Sequence, residues 1–427
     1  MTKSGSRRSV VLTRRQVIQG VSALPFASIA AASMAADPGV DPTISQRRGR
    51  VSLPDKDNFP FEGTYINAAY THPIGKRTQL ATERYIQSRM LEADRNWPRQ
   101  NSRDEAVTLF AQLINAPAAA VAVVPSTLEG ENLIAASLGL GPGAGVVTDP
   151  FHYDASLAMY GELNKKGMPL TVVAPTGSRI DYSKLEAAIT DETRLVAVSL
   201  VSSDTGHTHD LKTVCAIAHR KGAWVYADII QAVGAIPIDV KASGVDFCCA
   251  GTYKWLMGEF GTAFLYVRPE RLKDLKRVQL GWRGISAHTS HFLPFDSPGA
   301  PIGDWTLGTD TASMFEVSTP SWSALATIVG SLNYINDIGV EAIRRHADPM
   351  LRRLQEELPK HGFTPLTLPE YQGSYVVFSF EGAGARFRDA LRQAKIYVSV
   401  YKNKIRISPS VYNDMGDIDR LLRILCA

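Results

Sequence analysis

Cysteine is scarce in this chain of 427 residues: there are four, Cys215, Cys248, Cys249 and Cys426. That number and spacing exclude a disulfide scaffold and a zinc ribbon. Charge is also modest, at 21% of residues with a formal net charge of +4, which excludes a disordered charged tail as the body of the protein. Long unbroken apolar runs are missing. The most apolar stretch, Val17 to Ala36, is interrupted by Gln19, Gly20, Ser22, Pro25, Ser28 and Ser33, so a polytopic membrane protein is excluded as well. What remains is the composition of a globular protein, 45% hydrophobic, long enough for two or three domains at roughly 100–200 residues each.

The small excess of positive charge has a location. Residues 1–36 hold Lys3, Arg7, Arg8, Arg14 and Arg15 and no acid, so subtracting these five from +4 leaves the remainder at −1. The body therefore has no electrostatic footprint for nucleic acid. A basic start, a moderately apolar run and the small-residue end Ser33-Met34-Ala35 describe a secretory signal. Arg14-Arg15, set between Thr13 and Gln16-Val17-Ile18, resembles the twin-arginine export signal. The resemblance implies a chain that folds, with any cofactor in place, before the export machinery carries it to the periplasm. Residues 1–35 are thus expected to be a cleaved tag and not a stable anchor.

Residues 36–69 are polar and Pro-rich at first and read as an arm. From 70 to 310, short β-branched runs (Ala120-Val124, Gly145-Thr148, Leu170-Val173, Leu195-Leu200, Trp224-Ala227) alternate with helical patterns. Such alternation predicts a mostly parallel sheet with helices on both faces. Gly284–Thr309 lacks periodicity and reads as a long loop. Residues 311–427 read as a smaller C-terminal α/β domain, with strands at Tyr375-Phe380, Ile396-Val400 and Lys404-Ile407.

The densest chemical signal lies in the middle. An apolar strand delivers Asp228 at its C-terminal end, where ligands bind in open α/β sheets. Lys254 follows a second apolar strand, Phe247 to Ala250. A lysine and a carboxylate converging on one ring are what pyridoxal phosphate needs: an amine for its aldehyde and an anion for its ring nitrogen. Upstream, Ser126-Thr127-Leu128-Glu129 stands between a strand and a helical run in capping-box form, where free N–H groups and the helix dipole suit a phosphate.

Asp228-Ile-Ile-Gln231, then Val245-Asp246-Phe247, then Lys254-Trp255 resembles the class V aminotransferase family, over nearly the whole chain from about Tyr65. The resemblance implies a PLP-dependent transferase of fold type I, usually a homodimer, with pyridoxal 5'-phosphate as cofactor. Lys254 then matches the cofactor lysine and proton shuttle, and Asp228 the partner of the ring nitrogen. Gln231 and Ser203 fall beside the ring oxygen, and Tyr153 or His152 on the ring face, with Tyr153 preferred. Ser126, Thr127, Leu128, Thr252 and Tyr253 fall around the phosphate. Leu128 departs from the family's usual Thr, so Thr127, Thr252 or backbone amides are left to compensate, and Tyr253 replaces a commoner His. Arg406 matches the substrate-carboxylate arginine, whose fork fits a carboxylate, and Asn67 lines the same pocket. His207 and His209 lack a third ligand group, so no metal is expected.

The family's cysteine desulfurases need a nucleophilic cysteine shortly before that arginine. Residues 373–406 contain none, and desulfurase activity is not expected. Transamination, epimerisation and elimination remain open, as does a non-catalytic cofactor-binding protein, with Leu128 and Tyr253 as its signs. Export makes a small exported or peptidyl substrate the expectation, specifically siderophore (pyoverdine) side-chain maturation from glutamate to succinamide.

Overall fold

The computed structural model describes residues 12–13, 51–91, 99–289, 295, 303–371 and 373–427, with backbone alone at 12–13 and 99–101. The export segment falls almost wholly outside the described residues. Leu12–Thr13 pairs antiparallel with Ile285–Thr289.

Seven strands build the main sheet: β1 Val121–Val124, β2 Gly145–Thr148, β3 Leu170–Val172, β4 Thr193–Ser199, β5 Trp224–Asp228, β6 Phe247–Gly251 and β7 Ala263–Val267. Their spatial order is β1-β7-β6-β5-β4-β2-β3. β6 through β3 run parallel, while β7 is antiparallel to both of its neighbours. β5, β6 and β7, central in the sheet, are buried along their whole length, as expected for strands covered on both faces, and so is the edge strand β1. One apolar cluster fills each side of the sheet.

The smaller domain is a four-stranded antiparallel sheet, β8 Thr364–Pro365, β9 Val376–Ser379, β10 Ser399–Val400 and β11 Lys404–Ile407, in the order β8-β9-β11-β10. Helices Val340–Glu357, Ala383–Gln393 and Met415–Leu425 close a core around Phe378, Ile405 and Leu421.

Two sequence boundaries are corrected by the packing. The smaller domain begins near Val340, not at 311, because helix Trp322–Ile338 packs on helices Lys76–Leu91 and Arg99–Leu113. Its Leu325, Ile328, Leu332 and Ile335 lie in the core of the large domain. The arm does not end as a free lead-in either: Thr64–Tyr65 pairs in parallel with Ile396–Tyr397, and Ile66 joins the small-domain core. The expected loop at 284–309 contains an antiparallel pair, Ile285–Thr289 with Asp304–Leu307. Its exposed strands carry no buried face to write an alternating pattern into the sequence. No helix among the described residues is long and apolar enough to cross a membrane.

Candidate active site

The parallel strands bring their C-terminal ends to one edge, and the candidate residues gather there. Asp228 is the last residue of β5. It is buried, and its Oδ1 accepts the Ile230 N–H at 2.9 Å. Burial pushes its carboxyl up to about 6, while the Ile230 N–H and the charges of His152 and Lys254 pull it back. Lys254 follows β6 by three residues. Burial holds its amine down at about 8, the Asp228 charge opposes that shift, and the Arg406 charge adds to it. Asp228, Lys254 and Arg406 therefore share one enclosed electrostatic environment, although 152 positions separate Lys254 from Arg406.

The turn after β5 fits closely against the lysine loop. Gly234 has φ of +90°, and a Cβ there would lie 2.5 Å from the Trp255 carbonyl oxygen, so only glycine allows this approach. Gln231 reinforces the contact. Its amide donates to the Ala69 carbonyl at 3.0 Å and accepts from the Trp255 indole at 3.0 Å. Ser374 Oγ donates to the Gln231 carbonyl at 2.5 Å. Gln231 thus ties the N-terminal segment, the lysine loop and the smaller domain together.

Arg406 lies on β11, only 4% exposed. Its Nη1 donates to the Ser203 carbonyl at 3.0 Å and its Nη2 to Ser399 Oγ at 3.5 Å. Ser399 in turn donates to Asn67 Oδ1 at 2.6 Å. The guanidinium carbon stands 5.6 Å from the Tyr375 ring centroid, within cation–π range. Its Nε is buried with no hydrogen-bond partner among the described residues. A buried charged donor left unpaired is costly, and an anionic ligand would remove that cost. Asn67 and the backbone of Ser203 therefore hold the arginine. The structure gives the Ser203 carbonyl this task, and describes no contact for its hydroxyl.

The segment after β1 forms a helix start as expected. Ser126 caps helix Thr127–Ser137, its Oγ accepting the Glu129 N–H at 3.1 Å. Thr127 Oγ1 accepts the Gly251 N–H at 2.8 Å, which joins the helix start to the end of β6 and leaves the hydroxyl proton for another acceptor. Leu128 lies half-buried in the first turn and offers only its N–H. The N–H groups of a first helical turn have no partner within the helix, so the donor set here suits a phosphate.

Thr252 is corrected. Its hydroxyl is fully buried and donates to the Glu259 carbonyl, with the Thr262 carbonyl at 3.1 Å. It pins the loop after Lys254 and is unavailable to a phosphate. The sequence shows the hydroxyl but not the loop that folds back over it.

Tyr253 stacks on Phe260 with ring centroids 4.5 Å apart, and Lys254 Nζ lies 5.7 Å from its centroid. Of the two candidate ring-stacking residues, Tyr153 is 42% exposed. The His152 side chain has no exposed surface; its nitrogens meet Ser199 Oγ and Glu131 Oε1, each at 2.9 Å. With both faces covered, His152 cannot stack on a ligand without moving. The sequence reading missed Glu131, a buried acid on the inner face of the capped helix. A charged residue two positions after the capping-box Glu129 was the available signal. It also missed Tyr375, whose hydroxyl donates to the Ser202 carbonyl beneath the arginine. Asp246 proves structural, accepting from His219 at 2.7 Å, Arg271 at 2.7 Å and the Val225 N–H at 2.9 Å.

The geometry has counterparts among known proteins. Residues 94–421 match the family model described as aminotransferase class-V. An uncharacterised aminotransferase of Bacillus subtilis, YcbU, is 29% identical over 351 residues, 81% of this chain and 88% of that protein. A probable cysteine desulfurase of Methanothermobacter thermautotrophicus is 28% identical over 302 residues, 68% of this chain and 71% of that protein. Among solved structures, the K223A mutant of C-DES, with glycine covalently linked to its PLP cofactor, superposes with a TM-score of 0.75 at 19% identity. It covers 87% of this chain and 99% of that one.

Proposed function

The chain belongs to the class V aminotransferase family of PLP-dependent, fold-type-I enzymes, and we propose that it acts at the amino-bearing carbon of an amino-acid substrate, free or peptide-linked. The observation that carries this reading is Arg406, whose buried Nε has no hydrogen-bond partner among the described residues and whose charge acts on Lys254. Pyridoxal phosphate, when bound, supplies an electron-withdrawing ring that weakens the bonds at that carbon. Lys254 would hold its aldehyde carbon, Asp228 its ring nitrogen, and the helix start at Ser126–Leu128 with Thr127 its phosphate. Tyr153, the exposed ring of the two candidates, would cover the cofactor face. Arg406, braced by Ser203, Ser399 and Asn67, orients the substrate carboxylate. The Lys254 amine, held down at about 8 by burial, is poised to take and return a proton at the substrate carbon near neutral pH. The test is a screen of amino acids and their amides with the loaded enzyme, in which the carboxylates turn over and the amides do not. Equal turnover of both would overturn the role of Arg406.

The absence of cysteine from 373–406 supports a reaction other than desulfuration, although relatives carry that name. Sulfide release from cysteine, measured directly, tests this, and release at the enzyme's main rate would overturn it.

The Arg14-Arg15 pair and the apolar run behind it support export in the folded state to the periplasm and work on a secreted substrate; the family resemblance supports work as a homodimer. The substrate proposed is the glutamate side chain of a pyoverdine siderophore, converted to succinamide. Deleting the gene in a producing strain and comparing secreted siderophores by mass spectrometry tests the assignment. An unchanged profile would sink it. Fractionating cells that carry Arg14→Lys with Arg15→Lys tests the route, with retention in the cytoplasm expected.

A further inference from the structure

Beneath the cleft lies a second polar cluster that none of the roles above uses. Glu131 is 1% exposed, yet its carboxylate receives three side-chain donors. His152 Nε2 lies 2.9 Å and Tyr160 OH 2.6 Å from Oε1, and Ser156 Oγ 2.5 Å from Oε2. Such a set of donors favours the ionised acid. An ionised acid at this depth requires a counter-charge, because a lone buried charge is strongly unfavourable. The only cationic side chain in contact with it among the described hydrogen bonds is His152. The opposite edge of the same ring, Nδ1, meets Ser199 Oγ at 2.9 Å. Ser199 ends β4 and stands in register beside Asp228 at the end of β5. A continuous chain therefore runs from the capped helix, through the imidazole, to the strand end next to the active-site carboxylate.

We infer that Glu131 and His152 form a buried ion pair that keeps Asp228 in its anionic form for the cofactor's ring nitrogen, and that both are positioning residues acting through Asp228. The inference rests on the reading of Asp228 as the ring-nitrogen partner.

The surrounding charges agree with the direction. Burial works against both charges of the pair, but each holds the other: the Glu131 carboxyl lies below its ordinary range and the His152 ring above its own. The acids facing His152 are Glu131 from the capped helix, Asp228 from β5 and Asp149 from its own loop, and all three favour the imidazolium. The groups around Glu131 are His152, Ser156 and Tyr160, with Tyr226 also within its field. Asp228 feels burial first, which raises its carboxyl. His152 and Lys254 lower it and Glu131 raises it, with the His152 effect larger than that of Glu131. Neutralising the pair therefore removes more attraction than repulsion, and the Asp228 carboxyl should rise further. A neutral Asp228 cannot pair with a protonated ring nitrogen.

The test begins with cofactor-free protein, labelled with carbon-13 at the histidine rings and aspartate carboxyls, and follows both titrations by NMR. In the wild type, His152 should stay protonated at pH 7. In Glu131→Gln, His152 should be neutral at pH 7 and the Asp228 midpoint should rise by about one unit, a tenfold change in proton affinity. His152→Gln keeps an amide donor toward Glu131 without the charge and should raise the Asp228 midpoint as well, so a folding defect in one variant leaves the other. A neutral His152 in the wild type, or an unmoved Asp228 in the folded variants, overturns the inference. The loaded protein then separates the inference from the reading beneath it. Both variants should bind pyridoxal phosphate about tenfold more weakly at pH 5, where the ionised fraction of Asp228 follows its midpoint, and only about twofold more weakly at pH 7, with the loss gone at pH 9, where Asp228 is ionised regardless. A shifted Asp228 with unchanged cofactor affinity at all of these pH values would show that Asp228 does not serve the ring nitrogen.

Discussion

Arg406 raises no hydrogen bond to Lys254, yet its guanidinium acts on it: the charge helps to hold the lysine amine down at about 8, against the pull of Asp228. A buried cation from the smaller domain thus conditions the nucleophile of the large one. The pairing fits a substrate whose amine meets the lysine and whose carboxylate meets the arginine.

The lowered lysine gives the first prediction. The neutral amine is the form that attacks an aldehyde, so the loading rate of cofactor-free protein should rise with pH to a plateau with its midpoint near 8. Stopped-flow absorbance measures this directly. A midpoint near the ordinary lysine value would show that the amine is not held down. Lys254→Ala should neither bind the cofactor covalently nor turn over, a loss of at least about 10³-fold in kcat if proton transfer alone is removed.

Asp228 should behave in opposite ways with and without the cofactor. Its folded-state carboxyl, at about 6, lies above the ordinary aspartate value of 3.8. Between those values the folded state binds more protons than the unfolded state, so stability falls as pH rises through the window. Above pH 6 the full cost is present. Asp228→Asn should therefore stabilise the cofactor-free protein at pH 7, on the order of 3 kcal/mol, and the gain should vanish below about pH 4. In the loaded protein the same substitution should weaken cofactor retention. Thermal melts across pH, with and without pyridoxal phosphate, separate the two effects.

Substitution of Arg406 should divide cleanly by geometry. Arg406→Ala leaves a substrate carboxylate facing a dry pocket, and a cost of about 2–5 kcal/mol is expected for losing one member of a buried charge pair. That corresponds to a fall in kcat/KM of at least about 30-fold. Arg406→Lys keeps the charge but loses the fork, so it should recover only part of the loss. Steady-state kinetics on the carboxylate substrate, with its amide as the control, provide the measure.

The two threonines near the helix start should differ in kind. Thr252→Val leaves the Glu259 carbonyl short of a donor, while the Thr262 carbonyl keeps the Thr252 N–H, and should cost about 1–3 kcal/mol of stability, with the loop after Lys254 loosened. Thr127→Val should instead weaken cofactor binding, since its hydroxyl bridges the helix start and the Gly251 N–H. Denaturant melts of the cofactor-free proteins and cofactor dissociation constants of both variants distinguish stability from binding. Equal effects of the two on cofactor affinity would count against the reading of Thr252 as a structural pin.

Much of the large domain was legible because its strands are short, apolar and separated by turn residues, and strands β1 to β6 fall within two residues of the runs read from the sequence. Asp228 and Lys254 were legible because each follows an apolar strand directly, so sheet topology alone sends both to the same edge. Helix Trp322–Ile338 was not assignable to a domain, because residues on most of its faces are apolar and its pattern does not name its partner. Thr252 misled because a hydroxyl beside the lysine is equally able to bind a phosphate or a carbonyl. Glu131 was passed over because an acid in an amphipathic stretch is usually solvated, and its burial depends on His152, Ser156 and Tyr160 arriving from the next helix and loop.

By itself, then, the sequence determined the element order, the strand ends that carry chemistry and the residue types suited to a pyridoxal phosphate enzyme. Each of these depends on local periodicity and on a few neighbouring residues. Only the tertiary structure decided which polar groups are open and which are spent: Arg406 with a free buried nitrogen, Thr252 with none to give, His152 enclosed and Tyr153 exposed. Those outcomes depend on burial and on partners that folding brings together, from Glu259, close in the chain to Thr252, to Ser203, far in the chain from Arg406, and the energy of a polar group is set by what surrounds it after folding.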